Sequence, residues 1–142
     1  MSRLRRTVKD AVYGVAVGDA LGVPVEFRAR DTYRIDGMTG GGTHDKPAGT
    51  FSDDTSMTLA TANSIRICGG IDLDDMRERY RAWLFDGAYV PDGDVFDVGN
   101  TTAVALRSGK GQDGERDNGN GSLMRIVPLA FVEDVTDEQI EA

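Results

Sequence analysis

A chain of 142 residues, 39% hydrophobic and 28% charged, has the size and composition of one globular domain with a real core, which excludes a peptide scaffold or a disordered tail. Its 18 glycines follow no triplet period, so collagen-like and low-complexity readings fail. A formal charge of −8 leaves no basis for non-specific attraction to nucleic acid or to an anionic membrane.

The acids are 18 Asp against 6 Glu. Asp is the better cap, turn and metal residue, so this bias places many acids at helix starts and in loops. The single cysteine, Cys68, cannot form an internal disulfide, and its neighbours Ile65 and Ile67 read as the setting of a core thiol in a reducing, cytoplasmic compartment. Arg3, Arg5 and Arg6 precede an apolar stretch that Lys9, Asp10, Gly14, Gly18 and Asp19 interrupt, so neither a secretory signal nor a membrane span is read there.

In chain order, the three- and four-residue spacing of Leu4, Val8, Ala11, Val12, Val15, Ala16, Ala20 and Leu21 predicts an amphipathic helix over residues 3–21, ended by Pro24. Gly14, Gly18 and Gly22 form a second row on it. Glycine inside a helix costs about 1 kcal/mol against alanine, so the row serves either tight helix packing or close approach of a ligand. Residues 25–50 read as a long loop, with His44, the only histidine, as a solvated loop residue without metal-spaced neighbours. A second helix runs from the cap Ser52 to Cys68 and stops at Gly69-Gly70. The third spans residues 73–85, capped by Asp72 and closed by Gly87, with Leu73, Met76, Tyr80, Trp83 and Leu84 as its buried stripe. A shorter fourth helix starts near Asn100 and stops at Gly109, with Thr102, Ala105 and Leu106 inward. After a glycine-rich stretch, Ser122 is placed to cap an apolar segment that Pro128 kinks or ends. Thr136 and Gln139 have the spacing of a capping box, the start of a further helix, and suggest a polypeptide meant to continue. No strand signal is sustained, and the fold class is all-α.

The strongest chemical signal is Ser52-Asp53-Asp54-Thr55. A hydroxyl and two carboxylates at a helix start are hard oxygen donors suited to Mg²⁺ or Mn²⁺, yet the same residues also serve as caps that satisfy free backbone N–H groups; both readings stand on local sequence. Other motifs fail on context. Gly109-Lys110-Gly111-Gln112-Asp113-Gly114 follows a helix where a dinucleotide fingerprint needs a strand. Asp92-Gly93-Asp94 with Asp97 lacks the offsets of an EF-hand.

Four segments in order resemble the successive signatures of the ADP-ribosylglycohydrolases, the family of dinitrogenase reductase-activating glycohydrolase. They are residues 14–22 (GVAVGDALG) with Glu26; residues 49–57 (GTFSDDTSM); residues 97–102 (DVGNTT); and residues 118–125 (NGNGSLMR) with Pro128. The resemblance implies an orthogonal helical bundle, a binuclear Mg²⁺ or Mn²⁺ site, and hydrolysis of the bond between ADP-ribose and an acceptor, either a modified protein or a small molecule. It implies that Ser52, Asp53 and Asp54 hold one metal and that Glu26 lies near the second metal and the reacting ribose. Asp97 would serve as the acid toward the acceptor, and Gly99, Asn100, Asn118, Gly119, Asn120, Gly121 and Ser122 as contacts to ADP-ribose. Where many relatives carry threonine, Ser52 keeps the ligand hydroxyl.

The chain departs from the family pattern at its end. Members run well beyond this length, and their C-terminal Asp-x-Asp-Thr motif, which supplies the remaining metal ligands, does not occur here. Residues 1–142 are therefore expected to be the N-terminal part of one domain, with a missing C-terminal half as partner. Three donor side chains fall short of the six or so that Mg²⁺ takes, so the isolated chain is expected to bind metal weakly and to be inactive or nearly so. The alternative is a non-catalytic ADP-ribose-binding or structural module of the same fold.

Overall fold

A computed structural model describes residues 7–133, 135 and 136. The described chain is helical, and a single bridge between Gly41 and Lys46 is the only extended pairing among those residues. This agrees with the all-α expectation. The start of the C-terminal capping box, Thr136, is described, but Gln139 lies outside the described residues.

Helix α1 is Val8–Gly22, shorter than the expected start near residue 3. The reason is a capping box that the apolar periodicity overrode: the Thr7 hydroxyl accepts from the Asp10 N–H, and the Asp10 carboxylate accepts from the Thr7 N–H at 2.8 Å. A 3-10 turn, Val23–Val25, continues the chain through Pro24. The glycine row is not packed against another backbone. A Cβ placed at Gly14, Gly18 or Gly22 would meet nothing within 4 Å among the described residues, and the row borders a groove shared with Leu123, Ile126 and Val132.

Helix α2, Asp53–Cys68, is the centre of the bundle and touches α1, α3 (Leu73–Asp86), the short α5 (Gly121–Met124) and the C-terminal 3-10 turn Val127–Phe131. It is buried on most sides although it is rich in Ser and Thr. Three of its buried hydroxyls bond internally: Ser56 donates to the Ser52 carbonyl, Thr58 to the Met124 carbonyl and Thr61 to the Met57 carbonyl, while Thr61 also pairs with the Tyr80 hydroxyl at 2.6 Å. The apolar core is Met57, Trp83 and Leu106, ringed by Tyr80, Leu84, Val95, Val98 and Met124. Burying such a side chain contributes about 2–3 kcal/mol.

Helix α3 starts as expected, with Asp72 accepting from the Asp75 N–H at 2.9 Å, and stops at Gly87 in a left-handed conformation. Leu73, placed in its buried stripe by periodicity, is instead exposed, because it borders an open cleft. Helix α4 is Asn100–Ser108, closed by Gly109. Two further corrections concern caps and ends. Ser122 sits inside α5, where Asn120 holds the N-cap position. Cys68 is exposed, not a core thiol, since α2 is leaving the bundle in its last turn and Arg66 and Ile67 are exposed beside it.

Candidate functional site

The entry to α2 explains how the Ser52-Asp53-Asp54 cluster is held. Ser52 occupies the N-cap position, but its hydroxyl does not cap the helix. Asp19, from α1, does so across space. Its carboxylate accepts from the Ser52 N–H at 2.9 Å, the Ser52 hydroxyl at 2.8 Å, the Thr55 N–H at 3.0 Å and the Thr55 hydroxyl at 2.6 Å. The capping need is thereby met, and Asp53 and Asp54 are left free of that duty. Asp19 belongs to the first signature, yet no local pattern gave it a role.

Asp53 and Asp54 face a cleft of about 870 Å³. Glu26, from the end of the 3-10 turn, and Asp97, from the loop before α4, line the same cleft. Gly99, Asn100, Gly119, Asn120, Gly121 and Ser122 also line it; Asn118 and Ser52 do not. Three segments far apart in sequence thus bring four carboxylates together.

Their electrostatics are strained. Asp53 is 7% exposed, and burial, followed by repulsion from Asp54 and Asp97, pushes its carboxyl up to about 7. Burial, then Asp19 and Asp97, raises Asp54. Burial and Asp97 raise Glu26, against the pull of a hydrogen bond from His44. Arg125 also lines the cleft, but its guanidinium is engaged by the Gly121 carbonyl and the Thr102 hydroxyl and lies over the Tyr80 ring. Crowded oxygen donors have the chemistry that a hard divalent cation takes, and the carboxylates of Asp53 and Asp54 face this cleft. The Ser52 proton points to Asp19, and the hydroxyl oxygen keeps lone pairs for a ligand bond.

His44 is not a solvated loop residue. The turn closed by the Gly41 N–H to Lys46 carbonyl bond sets the ring between Phe27 and Phe96, with centroids 5.9 and 5.0 Å away. Its Nε2 lies 2.7 Å from Glu26 Oε2 and 3.7 Å from Asp97 Oδ1. Lys46, buried, fastens the turn to the facing loop through Asp94 at 2.5 Å and lies over Phe96. Nothing in the glycine-rich run around His44 signals this, because every partner except Lys46 is distant in sequence. Gly42 makes the approach possible. At φ 77° its Cβ would stand 2.3 Å from the Pro24 carbonyl oxygen.

An all-helical bundle with a carboxylate-lined cleft beside a helix start defines a class of small-ligand sites. A family model described as ADP-ribosylglycohydrolase matches residues 1–142, and the chain belongs to that family. It is 38% identical over 130 residues to "ADP-ribosylarginine hydrolase Tri1" of Pseudomonas putida (strain GB-1), covering 87% of this chain and 35% of the relative. It is 37% identical over 132 residues to "ADP-ribosyl-[dinitrogen reductase] glycohydrolase" of Rhodospirillum rubrum, covering 85% of this chain and 42% of the relative. A solved "ADP-ribosylglycohydrolase-related protein complex" superposes with a TM-score of 0.70 at 34% identity, over 92% of this chain and 44% of that one. The chain therefore spans less than half the length of these relatives. Among the described residues, no helix is long and apolar enough to cross a membrane.

Proposed function

We propose that this chain is the N-terminal part of a single ADP-ribosylglycohydrolase domain, a hydrolase that removes ADP-ribose from a modified protein or small-molecule acceptor in the cytoplasm. The observation that carries the reading is the convergence of Glu26, Asp53, Asp54 and Asp97 on one cleft bordered by the glycine-rich loop.

Ser52, Asp53 and Asp54 would hold Mg²⁺ or Mn²⁺, which when bound supplies charge to orient ribose hydroxyls and to lower the pKa of a water. The remaining work belongs to the chain. Glu26 and Asp97, on the same cleft, are placed to take a proton from the attacking water and return one to the leaving acceptor. Burial and Asp97 raise the Glu26 carboxyl, which favours its holding a proton. Gly119 and Gly121 present backbone without side chains, so a diphosphate can approach closely, and Arg125 anchors that loop through the Gly121 carbonyl.

Three donors leave the metal site short, so the isolated chain should bind Mg²⁺ weakly and turn over little. Assaying ADP-ribosylarginine hydrolysis by this chain alone at millimolar Mg²⁺ tests it, and turnover on the order of 1–10³ s⁻¹ would refute the fragment reading. The second reading, an ADP-ribose-binding module, is favoured by the cleft wall of Gly99, Asn100 and residues 119–122, which is present without the missing half. Calorimetry with ADP-ribose separates the two: binding without turnover, even after the rest of a family domain is supplied, selects the module.

A further inference from the structure

His44 occupies a position that the metal and ligand readings leave unexplained. One imidazole nitrogen, Nε2, faces two carboxylates from different loops, at 2.7 Å from Glu26 and 3.7 Å from Asp97. An ionised carboxylate only accepts, so the 2.7 Å contact between the imidazole and Glu26 calls for a proton between those two groups. The ring is fixed on both sides. Phe27 and Phe96 bracket it, and Lys46 ties its turn to Asp94 on the loop that carries Asp97. Phe27 and Asp97, at the two ends of this arrangement, have φ of 61° and 53°. Non-glycine residues take that conformation at a cost, and it persists where surrounding contacts enforce it.

We propose that His44 is a positioning residue. Its Nε2–H donates to Glu26 and stands within reach of Asp97, so that one proton donor holds the two carboxylates at a fixed separation in the cleft. This rests on the reading of Glu26 and Asp97 as the proton-handling pair. The competing chemistry is cation binding, since the ligand atoms of Glu26, His44 and Asp97 all lie within 4.8 Å of one another. In that case Nε2 would have to lose its proton.

Because His44 is the only histidine, one ¹⁵N-labelled sample of the whole chain reads the imidazole without assignment by mutation. At neutral pH the expected spectrum has a protonated Nε2 protected from solvent exchange and unchanged by millimolar Mg²⁺. Exchange should rise about tenfold in Glu26→Ala, the opening that loss of one charge-assisted hydrogen bond allows. In His44→Ala the Glu26 carboxyl ¹³C resonance should move at fixed pH. His44→Gln, whose amide N–H can donate from the same place, should restore it. A role in packing alone would leave that resonance where it was. A solvent-averaged imidazole in the parent chain overturns the proposal, as does an Nε2 deprotonated by Mg²⁺ or an unmoved Glu26 resonance in His44→Ala. Failure of the hydrolysis assay bears on the enzymatic reading and leaves this spectrum unaffected, so the two can fail separately.

Discussion

Replacing Asp53 by Asn should stabilise the metal-free chain at neutral and alkaline pH. The carboxyl is buried at 7% exposure beside Asp54 and Asp97, and its pKa rises from 3.8 to about 7. A carboxyl that holds its proton more tightly folded than unfolded makes the fold bind more protons between those values, so stability falls as pH rises from about 4 to about 7. About 3 pK units at 1.4 kcal/mol each gives about 4 kcal/mol in all, of which roughly 2–3 kcal/mol is lost between pH 5 and pH 8. Raised Asp54 and Glu26 add in the same direction. Asp10 and Asp75, held low by hydrogen bonds from Thr7 and Arg79, act only at the acid end below this window. Asn keeps the shape of Asp53 and an acceptor for the Ser52 hydroxyl at 3.3 Å, so little else changes. Urea unfolding in the presence of a chelator, at pH 5 and pH 8, measures the difference. The parent should be less stable at pH 8, and Asp53→Asn should flatten the dependence. Mg²⁺ at ten times its dissociation constant should return about 1.4 kcal/mol to the parent at pH 8 and nothing to the variant. A parent whose stability rises from pH 5 to pH 8, or a variant equally destabilised at both, refutes the reasoning.

Asp19→Ala removes the acceptor for two backbone N–H groups and two hydroxyls at the start of α2, and should cost roughly 3 kcal/mol by urea midpoint, with Asp19→Asn recovering part. Gly42→Ala forces a Cβ against the Pro24 carbonyl at φ 77°, and should cost at least about 2 kcal/mol while disturbing the His44 imidazole signal. The exposed Cys68 thiol should react fully with a thiol reagent in the native chain, in one equivalent and without denaturant; protection until unfolding would restore the core reading.

The helices were legible where their signals are local. Asp72 and Gly87 bracket α3, and Gly69 and Gly109 end α2 and α4, through chemistry contained within a few residues. The first helix was overextended because apolar spacing ran on past a Thr7–Asp10 capping box. The same limit governs the site. The carboxylates at residues 53 and 54 stood out as a cluster, but whether they cap or bind was undecidable locally, since the true cap, Asp19, comes from another helix. Cys68 misled because apolar neighbours define a helix face only while the helix remains packed. His44 misled because a lone histidine among glycines carries no pattern, and its partners are assembled by the Gly41–Lys46 turn and the loop before α4.

The residues marked by resemblance are also those that act against the fold. Asp53, Asp54, Glu26 and Asp97 crowd one cleft, three of them with raised pKa, and Arg125, on the same cleft, is directed to Thr102 and the Gly121 carbonyl. Stability alone would place neutral or paired groups there. The hydroxyls of Ser56, Thr58 and Thr61 on the same helix all find hydrogen-bond partners, so the crowding of charge is local to the cleft. Local conflict within a consistent structure is the expected signature of a functional site. A cation bound at Ser52, Asp53 and Asp54 would relieve the conflict, whereas replacing one carboxylate would relieve it and remove the site. That opposition makes the response of Asp53→Asn to pH and Mg²⁺ a test of cation binding that does not depend on turnover.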